Sequence, residues 1–141
     1  MPNWASNELI VKGDNDKLTE FREAFTSFSA IVPLDGEWEY DKAVDTWGTK
    51  WDIDERNIFY TPGDEEDTYH FNTAWSPPEA FVGSASEKYP ELEFILKTYD
   101  IGCYYANKLR VKNGKVIQAE YAETEEGIKE IDDELFKEME V

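Results

Sequence analysis

The sequence predicts an α+β fold, with helices packed on an antiparallel sheet, on the strength of three features. Residues 68–75 alternate aromatic and polar side chains with the period of a half-buried strand, residues 16–28 repeat apolar side chains every three or four positions with the period of a helix, and Asn113-Gly114 separates two strand-like runs. Runs of strand and helix signatures interleaved in this way place a chain in the α+β class.

The elements follow in order. Asn7 to Val11 is a short apolar strand closed by the turn residues Gly13-Asp14. Asp16 is positioned to cap a helix in which Leu18, Phe21, Ala24, Phe25 and Phe28 share one face. Pro33 and Gly36 interrupt the pattern. From Thr46 to Ile53, Trp47, Thr49, Trp51 and Ile53 alternate with Gly48, Lys50 and Asp52, which predicts a strand with one heavy aromatic face. Thr61-Pro62-Gly63 with Asp64, Glu65, Glu66 and Asp67 is a turn followed by a solvated run of carboxylates. Thr68 to Trp75 is the next strand, with Tyr69, Phe71, Thr73 and Trp75 on one face and His70, Asn72 and Ala74 opposite. Ser76-Pro77-Pro78-Glu79 reads as a helix start, with Ser76 as N-cap, Pro77 in the first turn and Glu79 closing a capping box. That helix runs to about Tyr89, where Pro90 stops it.

Glu93 to Tyr99 is a further strand, and Cys103 to Val111 with Lys115 to Tyr121 form the hairpin around Asn113-Gly114. Thr124 to Met139 is read as one amphipathic helix, with Ile128, Ile131, Leu135 and Met139 on its apolar face. The order β-α-β-β-α-β, then hairpin, then helix, begins as a split βαβ, ferredoxin-like arrangement. The expected division is a ferredoxin-like domain with added hairpin over residues 1–122, and an acidic C-terminal helix over 123–141 docked on the same domain.

Composition bounds the function. The 141 residues hold 32 acids against 14 bases, a formal charge of −18, so phosphates of nucleic acid and anionic membrane surfaces would be repelled. A hydrophobic fraction of 40% with 15% aromatic is enough to build a core. No apolar run has the length of a membrane span, and Met1 to Asn7 lacks the basic and apolar regions of a secretory signal, which predicts a cytoplasmic protein. The charge is segregated. Residues 35–67 hold twelve acids and three bases, residues 120–141 hold ten acids and two bases, and the remainder is nearly neutral.

Chemistry-bearing motifs are scarce. His70 is the single histidine and Cys103 the single cysteine, which leaves no zinc constellation and no nucleophile relay. Gly102, Gly114 and Gly127 make no phosphate-binding loop, and Asp52, Asp54 and Glu55 lack the pattern of an EF-hand. Cys103 is expected as a small, half-buried residue, and Lys108, Arg110, Lys112 and Lys115 as lysines and arginine protecting a sheet edge. No cofactor, metal or catalytic residue is expected.

Three segments carry a resemblance: Asn3-Trp4-Ala5-Ser6-Asn7, Trp47-Gly48-Thr49-Lys50-Trp51-Asp52, and Phe71-Asn72-Thr73-Ala74-Trp75-Ser76-Pro77-Pro78. Together they resemble the YubB ferredoxin-like family over roughly residues 1 to 112, with departures at Ala5 and beyond Tyr121. The resemblance implies a ferredoxin-like fold in a protein carried by plasmids or phages, and no reaction.

Two functional expectations follow. The first is a non-enzymatic, DNA-mimicking inhibitor of a host defence nuclease, acting from the bacterial cytoplasm through Asp64, Glu65, Glu66, Asp67, Glu125, Glu126, Glu130, Asp132, Asp133 and Glu134. Its partner would be a nucleic-acid-binding host protein, with no direct contact to nucleic acid or membrane, and the chain itself a monomer or weak homodimer. The second is a small-ligand or peptide-binding module whose surface is Trp47, Lys50, Trp51 and Trp75. Plain solubility explains the acid equally well, and core packing explains the tryptophans.

Overall fold

We describe the backbone of residues 4–139 and the side chains of residues 4–137 in a computed structural model of the chain. Asn3 and the Met139 side chain, both invoked above, lie outside the described residues. The elements are β1 (Trp4–Lys12), α1 (Asn15–Ala24), α2 (Phe28–Ile31), α3 (Tyr40–Trp47), a 3-10 turn at Glu55–Asn57, β2 (Phe59–Thr61), β3 (Glu66–Ala74), α4 (Glu79–Lys88), β4 (Glu93–Asp100), β5 (Tyr105–Lys112), β6 (Lys115–Ala122), α5 (Glu125–Ile131) and α6 (Asp133–Met139).

The strands form one antiparallel sheet in the order β2-β3-β1-β4-β5-β6, so β1 sits between partners from distant parts of the chain. The first four are arranged as in a ferredoxin-like fold, and the β5–β6 hairpin extends the sheet beyond β4. One sheet face presents Leu9, Val11, Tyr69, Phe71, Phe94, Leu96, Leu109 and Val111 to α1, α2, α3 and α4. Phe21, Phe25, Phe28 and Phe81 fill that core, stacked or tilted at centroid separations of 4.6–6.5 Å. The opposite face carries a smaller apolar cluster, where Ile128, Leu135 and Phe136 of α5–α6 cover Ala106 and Tyr99.

Several elements differ from the sequence expectation. The helix expected over 16–28 is broken: it starts at Asn15, Asp14 is its N-cap rather than Asp16, and the chain leaves helical geometry at Phe25. Two polar groups favour the break. Ser27 Oγ accepts the Ala30 N–H at 3.1 Å, and Asp52 accepts the Phe28 N–H at 2.6 Å, starting α2 separately while Phe25 and Phe28 still reach the same core.

The strand expected over Thr46 to Ile53 is absent. Ala43 and Trp47 instead bury one face of α3, and Gly48 ends that helix in the left-handed region at φ +89°. The capping box expected at Ser76 is also replaced: Pro78 is the N-cap of α4 with no side-chain cap, and the Ser76 hydroxyl donates to Gly48 O at 2.6 Å.

The single C-terminal helix is two helices. Asp132 is extended at φ −162° and accepts the Glu134 and Leu135 N–H groups at 3.1 Å, so it ends α5 and caps α6. It also meets Lys97 Nζ at 2.8 Å and Lys108 Nζ at 3.8 Å on the sheet. Burial alone would push the Asp132 carboxyl up, but the Lys97 ammonium, the Leu135 N–H and the Lys108 charge together hold it below the usual carboxylate range. A carboxyl lowered by folding stabilises above its unfolded value, about 3.9, and loses that contribution as pH falls through the folded value. Amide exchange in α5–α6, taken relative to the intrinsic rate at each pH, is therefore expected to accelerate below about pH 4. Asp132→Ala should raise it by roughly tenfold at neutral pH, about 1–2 kcal/mol, with exchange in β1 and β3 unchanged.

Candidate functional site

The tryptophan-rich segments meet in space as a joint between elements. Trp47 is buried and donates from Nε1 to Val32 O at 2.8 Å. Gly48 lies so close to the start of α4 that an added Cβ would stand 3.0 Å from Pro77 O and Glu79 N. Thr49 Oγ1 donates to Ala74 O at 2.9 Å, and Thr73 Oγ1 donates to Ser76 O at 2.7 Å. From the first segment, Asn7 Nδ2 donates to Thr73 Oγ1 at 2.9 Å while its Oδ1 accepts from Thr98 Oγ1 at 2.8 Å. These buried polar groups are satisfied by one another, which fixes β1, β3, β4 and the 47–49 turn in one geometry.

The proposed tryptophan groove is accordingly corrected. Trp47 is core, Trp51 is stacked on Trp38 at 5.1 Å with Lys50 Nζ 4.6 Å from its ring, and Trp75 is 52% exposed at φ +68°. Trp47, Trp51 and Trp75 thus have three different surroundings: the core, a surface stack and open solvent.

The ten carboxylates divide as well. Asp67 is fully buried, where it accepts from Arg22 Nε at 3.0 Å and Nη2 at 2.8 Å and from the Gly63 N–H at 3.3 Å. It is an internal ion pair and is withdrawn from the acidic surface, as is Asp132. Burial among these groups pushes the neighbouring Tyr69 hydroxyl well above its ordinary value. Asp64, Glu65, Glu66, Glu125, Glu126, Glu130, Asp133 and Glu134 are exposed. The sheet register pairs Lys12 with Glu66 at one end and Ala106 with Ala122 at the other. The loop and α5 therefore lie at opposite corners, roughly 25–30 Å apart by strand spacing and rise. They form two patches rather than one strip.

The basic cluster is not edge protection throughout. Lys108 and Arg110 stand on β5, which β6 covers; Lys108 faces Asp132, and Arg110 Nη2 meets Glu93 Oε1 at 2.5 Å. Cys103 is exposed rather than half-buried, its N–H held by Asp100 at 3.0 Å.

His70 projects on the open face of the sheet, with Nε2 4.0 Å from Glu8 Oε2. Beside it is a cleft of about 430 Å³ between β3 and the 52–59 segment, lined by Trp4, Phe59, His70, Asn72, Asn57 and Asp54 among others. His70 and Asn72 also border a smaller hollow of about 200 Å³ under Leu135 of α6. Sequence reasoning missed Trp4, Asn57 and Phe59, because the cleft forms only when β2 pairs with β3 and sets Phe59 opposite His70. Among the described residues no group of three or more His, Cys, Asp or Glu side chains could hold a metal ion, and no helix is long and apolar enough to cross a membrane.

Sheet order and helix placement define a ferredoxin-like α+β domain with an added hairpin and a C-terminal helical pair on its open face. The family model described as the ferredoxin-like domain in Api92-like protein matches residues 46–137, and the chain belongs to that family. The match runs through α5 and most of α6, so the acidic segment beyond Tyr121, where the sequence resemblance departs, lies inside the family's domain. The crystal structure of the protein Api92 from Yersinia pseudotuberculosis is similar over 60% of this chain and 30% of that one, with a TM-score of 0.51 at 14% identity, a likeness of fold. The chain thus spans about 30% of the length of that protein. No curated protein matches it.

Proposed function

We propose that this domain is a non-enzymatic inhibitor carried by a phage or plasmid, which in the bacterial cytoplasm occupies the nucleic-acid-binding groove of a host defence nuclease of the restriction or CRISPR class. The supporting observation is the α5–α6 pair. Its apolar residues and the inward carboxylate of Asp132 hold it on the sheet, and Glu125, Glu126, Glu130, Asp133 and Glu134 remain exposed. Neighbouring carboxylates on one helix face stand about 5–6 Å apart, dense enough to meet several Lys or Arg side chains of a phosphate-binding groove at once. Such charges steer association at low salt and lose force as ionic strength rises.

The test is co-purification from a bacterial lysate with duplex DNA as competitor. The expected result is capture of a nuclease or other nucleic-acid-binding protein that duplex DNA displaces, with capture reduced about tenfold or more when Glu125, Glu126, Glu130 and Glu134 are changed to Gln and Asp133 to Asn. Capture that withstands both DNA and neutralisation, or that yields no nucleic-acid-binding protein, refutes the reading.

A further inference from the structure

We infer that the cleft beside β3 binds a small, flat, unphosphorylated nitrogen heterocycle of the nucleobase or nucleoside type. This rests on none of the exposed carboxylates of the proposed nuclease-binding surface, although α6 borders the same open face of the sheet through Leu135.

About 430 Å³ falls within the range of small-molecule sites, which are largely apolar with a few placed polar groups. Two of its walls are aromatic rings left facing water: Trp4 is 48% exposed and Phe59 68% exposed. A planar ring laid on these faces would remove that apolar area from solvent and gain offset-stacking contacts.

The polar groups supply an edge. His70 and Asn72 are alternate residues on the open face of β3, so their side chains stand about 6–7 Å apart. The side-chain amides of Asn57 and Asn72 hydrogen-bond to no partner among the described residues, and each offers both donor and acceptor. That combination suits the adjacent N–H and C=O or ring-nitrogen groups of a heterocycle edge.

Charge then narrows the class. Asp52 is spent on the Phe28, Ser29 and Ile53 N–H groups, and Asp54 is forked by the Arg56 guanidinium, so neither carboxylate is free to take a new partner. The carboxylates Asp52 and Asp54 in the lining, with Glu8 behind His70, outnumber the one guanidinium, Arg56 on Asp54, and so disfavour a phosphate. The near cation on the open face, Lys97, is already held by Asp132. The favoured occupant is therefore neutral or protonated at the ring and lacks phosphate.

The experiment is ligand-observed NMR and calorimetry on the full chain with adenosine, guanosine, cytidine and uridine, and with their 5′-monophosphates. At least one nucleoside should bind, with its monophosphate about tenfold or more weaker. Phe59→Ala and Asn72→Ala, both at exposed positions, should each weaken the nucleoside about tenfold with circular dichroism unchanged, while Ile117→Ala on the distant β6 leaves it unaltered. Absence of binding by all four nucleosides, equal or tighter binding of the monophosphates, or indifference to both substitutions would overturn the assignment.

Discussion

Replacing Arg22 with alanine is expected to destabilise the domain by about 3–5 kcal/mol, because it leaves a buried carboxylate without its counter-charge. Asp67 has no exposed surface, and Arg22 supplies both of its short hydrogen bonds, at 2.8 and 3.0 Å. What remains is the Gly63 N–H at 3.3 Å and the Tyr69 hydroxyl at 3.4 Å, too little to solvate a full negative charge. Thermal unfolding should shift down by on the order of 10 °C. The mechanism has its own control: changing Arg22 to Met together with Asp67 to Leu removes the unpaired charge and should recover much of the loss. If Arg22→Ala alone melts within about 2 °C of the parent protein, the pair contributes little and Asp67 is solvated by other means.

The second large effect concerns Gly48. At φ +89°, any other L residue is strained by roughly 1–2 kcal/mol, and a methyl group there would meet three backbone atoms at 3.0–3.2 Å, none of which can swing away. Gly48→Ala is therefore expected to cost about 2–4 kcal/mol in chemical denaturation, with the excess over backbone strain measuring how firmly α4 is seated. Gly83→Ala, in the interior of the same α4, is the contrast. Its added Cβ meets nothing within 4 Å, so gaining helix propensity should stabilise by about 0.5–1 kcal/mol. Equal losses at both glycines would mean that α4 tolerates no change in general and would remove the close-approach argument.

Where the sequence reading succeeded, one local period coincided with one burial pattern. The strand β3 is of this kind, alternating along most of its length against one covered face, while the hairpin was legible from Asn113-Gly114, both at positive φ, rather than from burial. The misread segment 46–53 alternates just as well, but its Trp47 belongs to the end of α3 and its Trp51 to a surface stack, so the alternation joins two unrelated environments. The left-handed glycine after Trp47 was the available signal, and it outweighs the period. Between Phe21 and Phe28 the failure is opposite: the apolar spacing persists across a real break, because side chains from two helices converge on one core. The strand β2 has three residues, all exposed, and so leaves no burial pattern to read. In the acidic loop, Asp67 looked like its neighbours because its partner Arg22 lies 45 positions away, and nothing local distinguishes a buried carboxylate from a solvated one.

The placement of β1 in the middle of the sheet bears on the order in which the domain can assemble. During synthesis β1 emerges before either strand it pairs with, so its backbone edges stay unpaired until β3 and β4 have left the ribosome. By contrast β4, β5 and β6 are joined by short turns and can zip as a meander, with α5–α6 folding onto them as soon as Asp132 reaches Lys97. The middle strand of the sheet is thus completed by two later parts of the chain, and the satisfied trio of Asn7, Thr73 and Thr98 is the latch that closes across all three strands.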